Sequence, residues 1–410
     1  MELVDELVDG TKSAAMPLIR HDLALSYLQV GLLAAVPLVV GSILELPVGV
    51  ISGGGSRRRR FILAGGLVFT ASVLAAGLAT SFTGLLIALT IFFPASGMFV
   101  SLTQAALMDA APDRQALQMA QWTLAGSIGA VTGPILVATV LGAGGTWRLA
   151  FVLIAGLSTA TWCVVALSGR TSTGTRHARP AGAASADSAA AAGSADTSAP
   201  LPVAERGAAA DGDGQAWPGW RAAASIVRQS GALRWLMLLE VANLLQDVLT
   251  PFLALYLVAV VHVSPAVAAL AIALRLGAGL AGDVVLIRVL ARRESRGVIR
   301  ASIWATLVVF PAFLLVPGLG LKLAALTALT IATAPWYPVL QAELYGSLPG
   351  RSGLAVSLTS ASGLAGALGP LAVGLLAQRF GLSWALGALC VVPVVMLAVP
   401  AGRRGVPGTG

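Results

Sequence analysis

Charged residues are scarce in this sequence: 11% of its 410 residues are Asp, Glu, Lys or Arg, against about 25% in ordinary soluble domains. It has only three histidines and two cysteines, all scattered, which indicates neither a metal site nor a disulfide framework. A phosphate loop of the Gly-x-x-x-x-Gly-Lys-(Ser/Thr) type is missing, so this chain encodes no ATP drive. No Ala-x-Ala-like secretory signal precedes the first apolar stretch. These absences argue against a soluble enzyme and against a protein that carries a metal or cofactor.

The few cysteines and the surplus of basic residues also limit the choice of partners. Cys163 and Cys390 each lie inside an apolar stretch, and we interpret both as small packing residues. The net charge is +8, which raises the question of a nucleic-acid partner. The arginines form short clusters without interleaved aromatic side chains, unlike a nucleic-acid-binding surface. Their expected partner is the surface of a lipid bilayer.

Long apolar runs make up most of the chain. Hydrophobic residues account for 57% of the sequence, gathered into runs of roughly twenty or more, the length that spans a bilayer as a helix. The runs lie at residues 2–20, 24–50, 61–80, 84–109, 115–141, 146–168, 233–260, 265–290, 298–317, 320–346, 353–378 and 381–402. They are too long for barrel strands, whereas a helix satisfies its own backbone hydrogen bonds in lipid. The sequence therefore predicts an all-α integral membrane protein with twelve transmembrane helices in two six-helix bundles.

A segment of different composition separates the two groups of six runs. Residues 171–219 are mostly Ala, Gly, Ser, Asp and Pro, with almost nothing large to bury, so we predict a disordered cytoplasmic linker. The two bundles are then residues 1–170 and 220–410. At the start of the second, apolar residues alternate with Arg221 and Arg228, as in a short amphipathic helix on a membrane surface. A plain lead-in to the seventh helix is the alternative.

The arginine clusters predict the orientation in the membrane. They fall between the second and third runs, after the eighth, in or beside the linker and at the end of the chain. All these places lie on one side if twelve helices alternate in direction. The other side carries only scattered charges such as Arg20, Arg148, Lys322 and Arg379. The positive-inside rule therefore places the linker and both termini in the cytoplasm, as in a multi-pass protein of the cell membrane.

The two halves contain an internal repeat. The segment QAALMDAAPDRQAL, which begins at Gln104, corresponds to QAELYGSLPGRSGL, which begins at Gln341, 237 positions later. GSIGAVTGP, from Gly126, likewise corresponds to GLAGALGP, from Gly363. Six helices lie between the copies, an even number, so the halves share one orientation and are related by a pseudo-two-fold axis along the membrane normal. Gln104 and Gln341 either line a cavity or form a hydrogen bond at a helix end.

A duplicated six-helix unit with a central cytoplasmic linker resembles the major facilitator superfamily of secondary transporters, and the resemblance covers essentially the whole chain. The family's loop between helices two and three resembles Gly-x-x-x-Asp-Arg-x-Gly-Arg-Arg. Here the loop reads GVISGGGSRR, so that Gly49, Arg57 and Arg58 match. Gly53 stands at the acidic position and Gly54 at the next basic one. The carboxylate of the salt bridge that usually steadies the family's outward-open state is therefore missing from this loop.

The fifth helix carries Gly129-x-x-x-Gly133-Pro134, similar to the core of the family's antiporter-associated motif, although the trailing glycine pair is replaced. The resemblance implies export of the kind found in bacterial efflux proteins. The alternative is structural, because small residues let membrane helices approach closely and proline bends them. The corresponding residues of the second half are Gly366, Gly369 and Pro370.

Carboxylates recur at matching positions of the first and seventh helices. ELVDELVD, from Glu2, and EVANLLQD, from Glu240, share the spacing Glu-x-x-(Asp/Asn)-x-x-x-Asp at an offset of 238. Positions i, i+3 and i+7 lie on one helical face, so each half presents a polar stripe. Besides Glu2 and Glu240, the stripes contain Asp5 and Asp9 in the first half and Asn243 and Asp247 in the second. We expect Glu2 and Glu6 at the hydrated interface, and Lys12 within reach of Asp9 as an ion-pair partner.

Further ionisable residues lie inside apolar runs. Glu45 of the second helix matches Asp283 of the eighth, again 238 positions apart. A carboxylate facing lipid costs about 2.5–3.5 kcal/mol, so these side chains are expected to face the bundle interior, where they can bind and release protons. Arg275 of the eighth helix is expected to pair with Asp247 or Asp283, or else to bind an anionic part of a substrate.

An aromatic pair stands out in the tenth helix. Trp336 and Tyr337 lie between Pro335 and Pro338. This pattern indicates a distorted segment that faces the cavity and stacks on a planar or cationic substrate. Ordinary helix packing is the alternative.

Together these features predict a secondary transporter that moves a small molecule by alternating access around a midplane site. Proton-coupled export of an amphipathic or cationic compound is the leading hypothesis, because carboxylates outnumber Lys12 and Arg275 within the helices. Proton symport for uptake and a uniporter are alternatives, and a transporter-like membrane sensor is a remote one. The expected partners are the substrate, protons and membrane lipids, without nucleic acid, metal or cofactor. The resemblance to the superfamily also implies a monomer.

Overall fold

The structure of the protein is a computed structural model that describes residues 1–52, 55–110, 115–171, 231–347 and 366–398. Within these ranges the secondary structure is helical, without strands. The predicted linker and the amphipathic segment that follows it lie outside the described residues, apart from the linker's first position. The domain boundaries therefore stay predictions.

Each of the twelve predicted runs contains described helix, which confirms the all-α class. The first half consists of α1 (Glu2–Asp22), α2 (Tyr27–Ser52), α3 (Gly55–Leu78), α4 (Phe82–Ser96), α5 (Leu102–Ala110), α6 (Gln115–Gly142) and α7 (Trp147–Thr171). The second half consists of α8 (Ala232–Ala259), α9 (Pro265–Leu290), α10 (Ser295–Leu315), α11 (Leu319–Thr333), α12 (Trp336–Gly346), α13 (Gly369–Phe380), α14 (Leu382–Gly387) and α15 (Val391–Ala398). A π-helical turn, Gly97–Ser101, joins α4 to α5, and a 3₁₀ turn, Ala388–Cys390, joins α14 to α15. The α4–α5, α11–α12 and α14–α15 pairs therefore each form one predicted run.

Helix α1 is long but unusually polar for a membrane helix. Nine stretches of the described helices are apolar and long enough to cross a membrane, and α1 is not among them because of its acidic start. Eleven of its 21 residues are buried, and it contacts α6, α7, α8 and α9. Since neighbouring helices surround it, its charged side chains lie beside protein groups, where their cost is lower than in lipid.

Both halves use the same helix pairings, as expected from a duplicated unit. In the first half α1 packs on α6, α2 on α4, and α3 on α4 and α7. In the second half the equivalent pairs, α8 with α13, α9 with α11, and α10 with α11 and α15, are also in contact. The halves meet where α2 packs on α13, α6 on α9 and α1 on α8. A two-fold rotation that exchanges the halves converts the α2–α13 contact into the α9–α6 contact and leaves the α1–α8 contact in place. This agrees with the pseudo-two-fold axis predicted from the repeat.

A close backbone contact between the halves joins α2 to α13. A Cβ atom added to Gly31 would lie 2.7 Å from the Pro370 carbonyl oxygen, and one added to Gly374 would lie 2.7 Å from the Tyr27 carbonyl oxygen. The Tyr27 backbone N–H also donates to the Gln378 side-chain oxygen at 3.1 Å. Because α2 begins and α13 ends here, this contact holds the two halves together near one membrane face. We call that side the sealed face; the arginine clusters of the first and second halves lie on the opposite one.

A buried lysine ties three helices of the second half together near the sealed face. Lys322, expected as a scattered surface charge, is only 7% exposed. Its ammonium donates to the Tyr256 hydroxyl at 3.1 Å and to the Phe313 and Leu314 carbonyls at 2.9 Å each. These carbonyls belong to the last turn of α10, where backbone acceptors have no partner within the helix. The lysine is therefore a capping residue that links α8, α10 and α11.

Candidate functional site

The polar stripe of α1 meets α4 inside the first half. The Ser96 hydroxyl donates to a carboxylate oxygen of Asp5 at 2.7 Å. One turn further on, the Lys12 ammonium lies 2.5 Å from the Asp9 carboxylate, which confirms the expected ion pair, and 5.3 Å from the centre of the Phe93 ring. Asp9 thus has a cationic partner on its own helix, whereas Asp5 is held by a neutral hydroxyl from another helix.

The other acidic face of α1 lies against α6. Glu2 and Glu6 were expected at the hydrated interface, but both are half-buried. Glu2 accepts a hydrogen bond from the Trp122 side chain. A Cβ atom on Gly126 would lie 3.0 Å from the Glu2 side chain and 3.3 Å from that of Glu6. Gly126 therefore makes room for two carboxylates, because α6 has no side chain at that point.

The glycines of the motif on α6 let the backbones of α1 and α6 approach closely. A Cβ atom on Gly129 would collide with the Leu3 backbone, and one on Gly133 would lie 2.7 Å from Leu7 oxygen. On α1, Gly10 faces Ala130 and Pro134 in the same manner. The described contacts thus supply the structural explanation of this motif.

The second half repeats this arrangement on α8 and α13. A Cβ atom on Gly366 would lie 2.9 Å from a carboxylate oxygen of Glu240 and 3.9 Å from one of Asp247. Gly369 fits against Leu244 of α8. Glu240 is half-buried and Asp247 is exposed. The duplicated motif therefore places small residues beside acidic ones in both halves.

A polar pocket lies between α8, α9 and the broken tenth run. Its volume is about 230 Å³. The polar side chains that line it are Asn243, Gln246, Asp283, Thr330, Thr333 and Tyr337. Three of these, Asn243, Asp283 and Tyr337, were singled out in the sequence, and the fold brings them to one place.

Arg275 does not form the expected ion pair. Its guanidinium donates to the Gln246 side-chain oxygen at 2.6 Å and to the Thr250 hydroxyl at 3.3 Å, and the residue is 7% exposed. Asp247 and Asp283 are both exposed on other parts of α8 and α9. The arginine is buried, and the side-chain oxygen of Gln246 accepts the hydrogen bond that a carboxylate was expected to accept.

The aromatic pair divides into a structural and an accessible member. The helix is interrupted between α11 and α12, just before Trp336, as the prolines predicted. This indole is 2% exposed and donates to the Ser302 hydroxyl at 2.6 Å, which donates in turn to the Ala332 carbonyl at 2.6 Å. Tyr337 is 53% exposed. The Trp336 N–H is therefore committed to the helix break, and Tyr337 is the ring available to a ligand.

The remaining sequence candidates lie apart from the pocket lining. Gln104 on α5 and Gln341 on α12 are half-buried, as is Arg58, whereas Arg57 is exposed. The side chain of Glu45, the surroundings of Gly49 and the loop positions Gly53 and Gly54 lie outside the described residues. Cys163 is exposed and Cys390 half-buried, so the interpretation of Cys163 as a packing residue was wrong.

The sequence patterns did not point to Ser96, Gln246 or Ser302, which hold contacts between helices. Gln246 had a signal, because it is an amide inside an apolar run next to Asp247. The two serines had none, since single small hydroxyl residues are common in membrane helices. Their importance comes from partners on other helices, which the order of residues does not display.

Comparisons with known proteins agree with this architecture. The sequence model of the Major Facilitator Superfamily matches residues 6–244. A comparison with curated protein sequences gave no match.

Similar solved structures include a bacterial homolog of the human lysosomal transporter Spinster in an inward-facing, unoccupied conformation, with a TM-score of 0.71, 15% identity, and coverage of 97% of this chain and 94% of that one. The nucleoside transporter NupG has a TM-score of 0.69 and 12% identity over 98% of each chain. A mutant of the peptide transporter POT, solved with sulfate, has a TM-score of 0.65 and 13% identity, covering 97% of this chain and 92% of that one.

Two similar helical bundles in one multi-pass membrane chain, with polar groups held between their helices, form an architecture found in secondary transporters. The chain belongs to the Major Facilitator Superfamily. By their descriptions, two of the similar proteins transport nucleosides and peptides, and membership of the family makes this chain a transporter of a small molecule.

Proposed function

We propose that the protein is a proton-coupled exporter of small amphipathic or cationic compounds in the cell membrane, with both termini cytoplasmic. The observation that carries the proposal is the pair of acidic stripes on α1 and α8. These helices are repeat partners and touch each other where the two halves meet. Rocking of the halves would therefore move both stripes relative to their surroundings.

Asp5 and Asp247 are the proposed proton-binding groups. Within the described part of the chain, the Asp5 carboxylate accepts a hydrogen bond from the Ser96 hydroxyl and forms no ion pair of the kind that Lys12 forms with Asp9. A carboxyl group in such a place exchanges a proton when its hydration changes, because burial disfavours the charged form. Asp247 is the repeat partner of Asp9. It lies exposed beside Gly366 and, unlike Asp9, forms no ion pair within the described residues, so it is the proposed group of the second half.

The sealed contact of α2 with α13 supports alternating access as the mechanism. On the predicted orientation the sealed face is extracellular, so this contact would hold the outer ends of α2 and α13 together. Backbone contacts at Gly31 and Gly374 leave no path between these helices. Export requires that this contact separate while the opposite face closes.

Proton movement in reconstituted vesicles tests the proposal. Ethidium or tetraphenylphosphonium is added outside vesicles that hold a pH-sensitive dye, with no pH gradient imposed. Antiport raises the internal pH, symport lowers it, and a uniporter leaves it unchanged, whichever way the protein is inserted. We expect a compound-dependent rise in the parent that is lost in Asp5→Asn and in Asp247→Asn. Asp22→Asn is the matched control, since Asp22 is exposed at a helix end and bonded to Arg148.

The result has three informative forms. A rise that survives in both variants would remove the two carboxylates from the proton pathway. A fall of internal pH would contradict proton-coupled export and favour proton symport. Movement of the compound without any pH change would favour a uniporter.

A further inference from the structure

The buried guanidinium of Arg275 has an unusual partner for a cation inside a membrane protein. Among the described residues it contacts no carboxylate, only the neutral side chains of Gln246 and Thr250. A charge in such a place is costly. Because both partners are neutral, these hydrogen bonds do not neutralise the charge, and another role of the arginine has to explain them.

The arginine fixes the orientation of the Gln246 amide. A guanidinium has only donors, so the side-chain oxygen of Gln246 must face Arg275, as its 2.6 Å contact requires. The amide nitrogen then points away, 3.4 Å from the Thr333 hydroxyl oxygen. That hydroxyl already donates to the Leu329 carbonyl at 3.0 Å, so it can only accept. The network thus permits one arrangement of the amide.

This arrangement leaves one N–H of a pocket-lining amide without an acceptor among the described residues. The amide nitrogen has two N–H groups, and Thr333 is its one acceptor within the described ranges. Gln246 lines the pocket of about 230 Å³ together with the carboxylate of Asp283 and the exposed ring of Tyr337. This space holds about eight water molecules or a ligand with a similar number of non-hydrogen atoms.

We propose that Gln246, positioned by Arg275, binds a hydrogen-bond acceptor on a small organic cation whose positive group lies at Asp283 and Tyr337. The chemistry of the lining carries the assignment: a carboxylate and an aromatic face attract a cation, and the fixed N–H favours a ligand that has a hydrogen-bond acceptor at that end. The inference rests on the proposed transport of small cations and names the group that selects among them. Arg275 acts through Gln246 and is a positioning residue.

Two cations of equal size test the selection. Choline and propyltrimethylammonium each have seven non-hydrogen atoms and differ in one oxygen, which serves as the acceptor. The reporter is Thr330→Cys in a Cys163→Ser/Cys390→Ser background, because Thr330 lines the pocket. The measured quantity is the concentration of each cation that halves the rate of alkylation by N-ethylmaleimide. We expect choline to protect at about ten-fold lower concentration, the effect of roughly one hydrogen bond.

Variants of the network separate positioning from folding. In Gln246→Leu and Arg275→Met the ratio of the two protecting concentrations should fall to about one. Arg275→Lys should keep it, since an ammonium also has only donors. Gln246→Glu supplies Arg275 with a carboxylate and should unfold at the parent temperature or above. A carboxylate can accept from the choline hydroxyl, so this variant is compared with the parent using choline methyl ether, whose oxygen only accepts, and butyltrimethylammonium, which is of equal size. The parent should prefer the ether, and Gln246→Glu should not. This variant keeps the proposal testable if Arg275→Met does not fold.

Equal protection by the two cations, protection by neither, or a preference that survives in Gln246→Leu would each overturn the proposal. Asp283→Asn should weaken both cations alike, so a loss confined to choline would also contradict the assignment. Protection is measured without proton movement. A missing pH change in the vesicle assay would therefore refute proton coupling and leave the binding site intact. A pH change in the vesicles together with no protection of the cysteine would refute the binding site and leave proton coupling intact.

Discussion

Adding one methyl group at Gly374 should open the sealed face. Gly374 is buried on α13 where it meets α2. In Gly374→Ala the new Cβ atom would lie 2.7 Å from the Tyr27 carbonyl oxygen and 3.3 Å from the Gly31 Cα atom. Both neighbours are backbone atoms, so neither can turn away as a flexible side chain would. Relief requires the two helices to separate.

The expected magnitude follows from the size of the overlap. The Cβ atom would stand about 0.7 Å inside ordinary van der Waals contact with the carbonyl oxygen. Overpacking of this kind costs about 1–3 kcal/mol, which corresponds to a roughly 5- to 150-fold loss of the sealed conformation relative to open ones. Gly277→Ala is the matched control, because a Cβ atom at Gly277 meets nothing within 4 Å. An alanine in an open helical position stabilises by about 0.5–1 kcal/mol.

Spin labels across the seal measure the effect. His21→Cys and Arg379→Cys place labels at exposed positions of α1 and α13 on this face, with both native cysteines replaced by serine. Double electron–electron resonance should give one short distance in the parent and in Gly277→Ala. Gly374→Ala should add a longer-distance population. If its distance distribution equals that of the parent and its unfolding temperature rises as in the control, the close backbone contact does not hold the seal.

Three further substitutions test contacts that hold the helices. Lys322→Met removes the donor of three hydrogen bonds and should lower the free energy of unfolding in detergent by about 1–3 kcal/mol, since the Phe313 carbonyl loses its donor while the Leu314 carbonyl keeps the Tyr256 hydroxyl; an unchanged value would contradict the capping role. Trp336→Phe and Ser302→Ala each break the 2.6 Å contact between them and should cost about 0.5–1.5 kcal/mol apiece. Their double variant should cost less than the sum, and strict additivity would show that the contact is unimportant. Gly129→Ala inserts a Cβ atom into the backbone of α1 and should lower the unfolding temperature, whereas Gly156→Ala, with open space around it, should not.

The sequence alone determined the class of the fold. Lipid offers no hydrogen-bond partners, so an apolar run long enough to cross a bilayer must pair its own backbone groups, and it does so as a helix. The repeat of Gln104 at Gln341 fixed the relation of the two halves. The ion pair of Lys12 with Asp9 was also predictable, since residues three apart on a helix lie on one face.

Tertiary structure decided which polar groups meet across helices. Asp5 received Ser96 of α4 as its donor, and Arg275 received Gln246 in place of the aspartates expected from charge alone. Lys322 turned inward onto the last carbonyls of α10. Spacing along one helix says which side chains share its face, but the neighbour of that face depends on how helices far apart in the chain pack. In this protein the partners of the ionisable residues follow from helix packing, while their positions along each helix follow from the sequence.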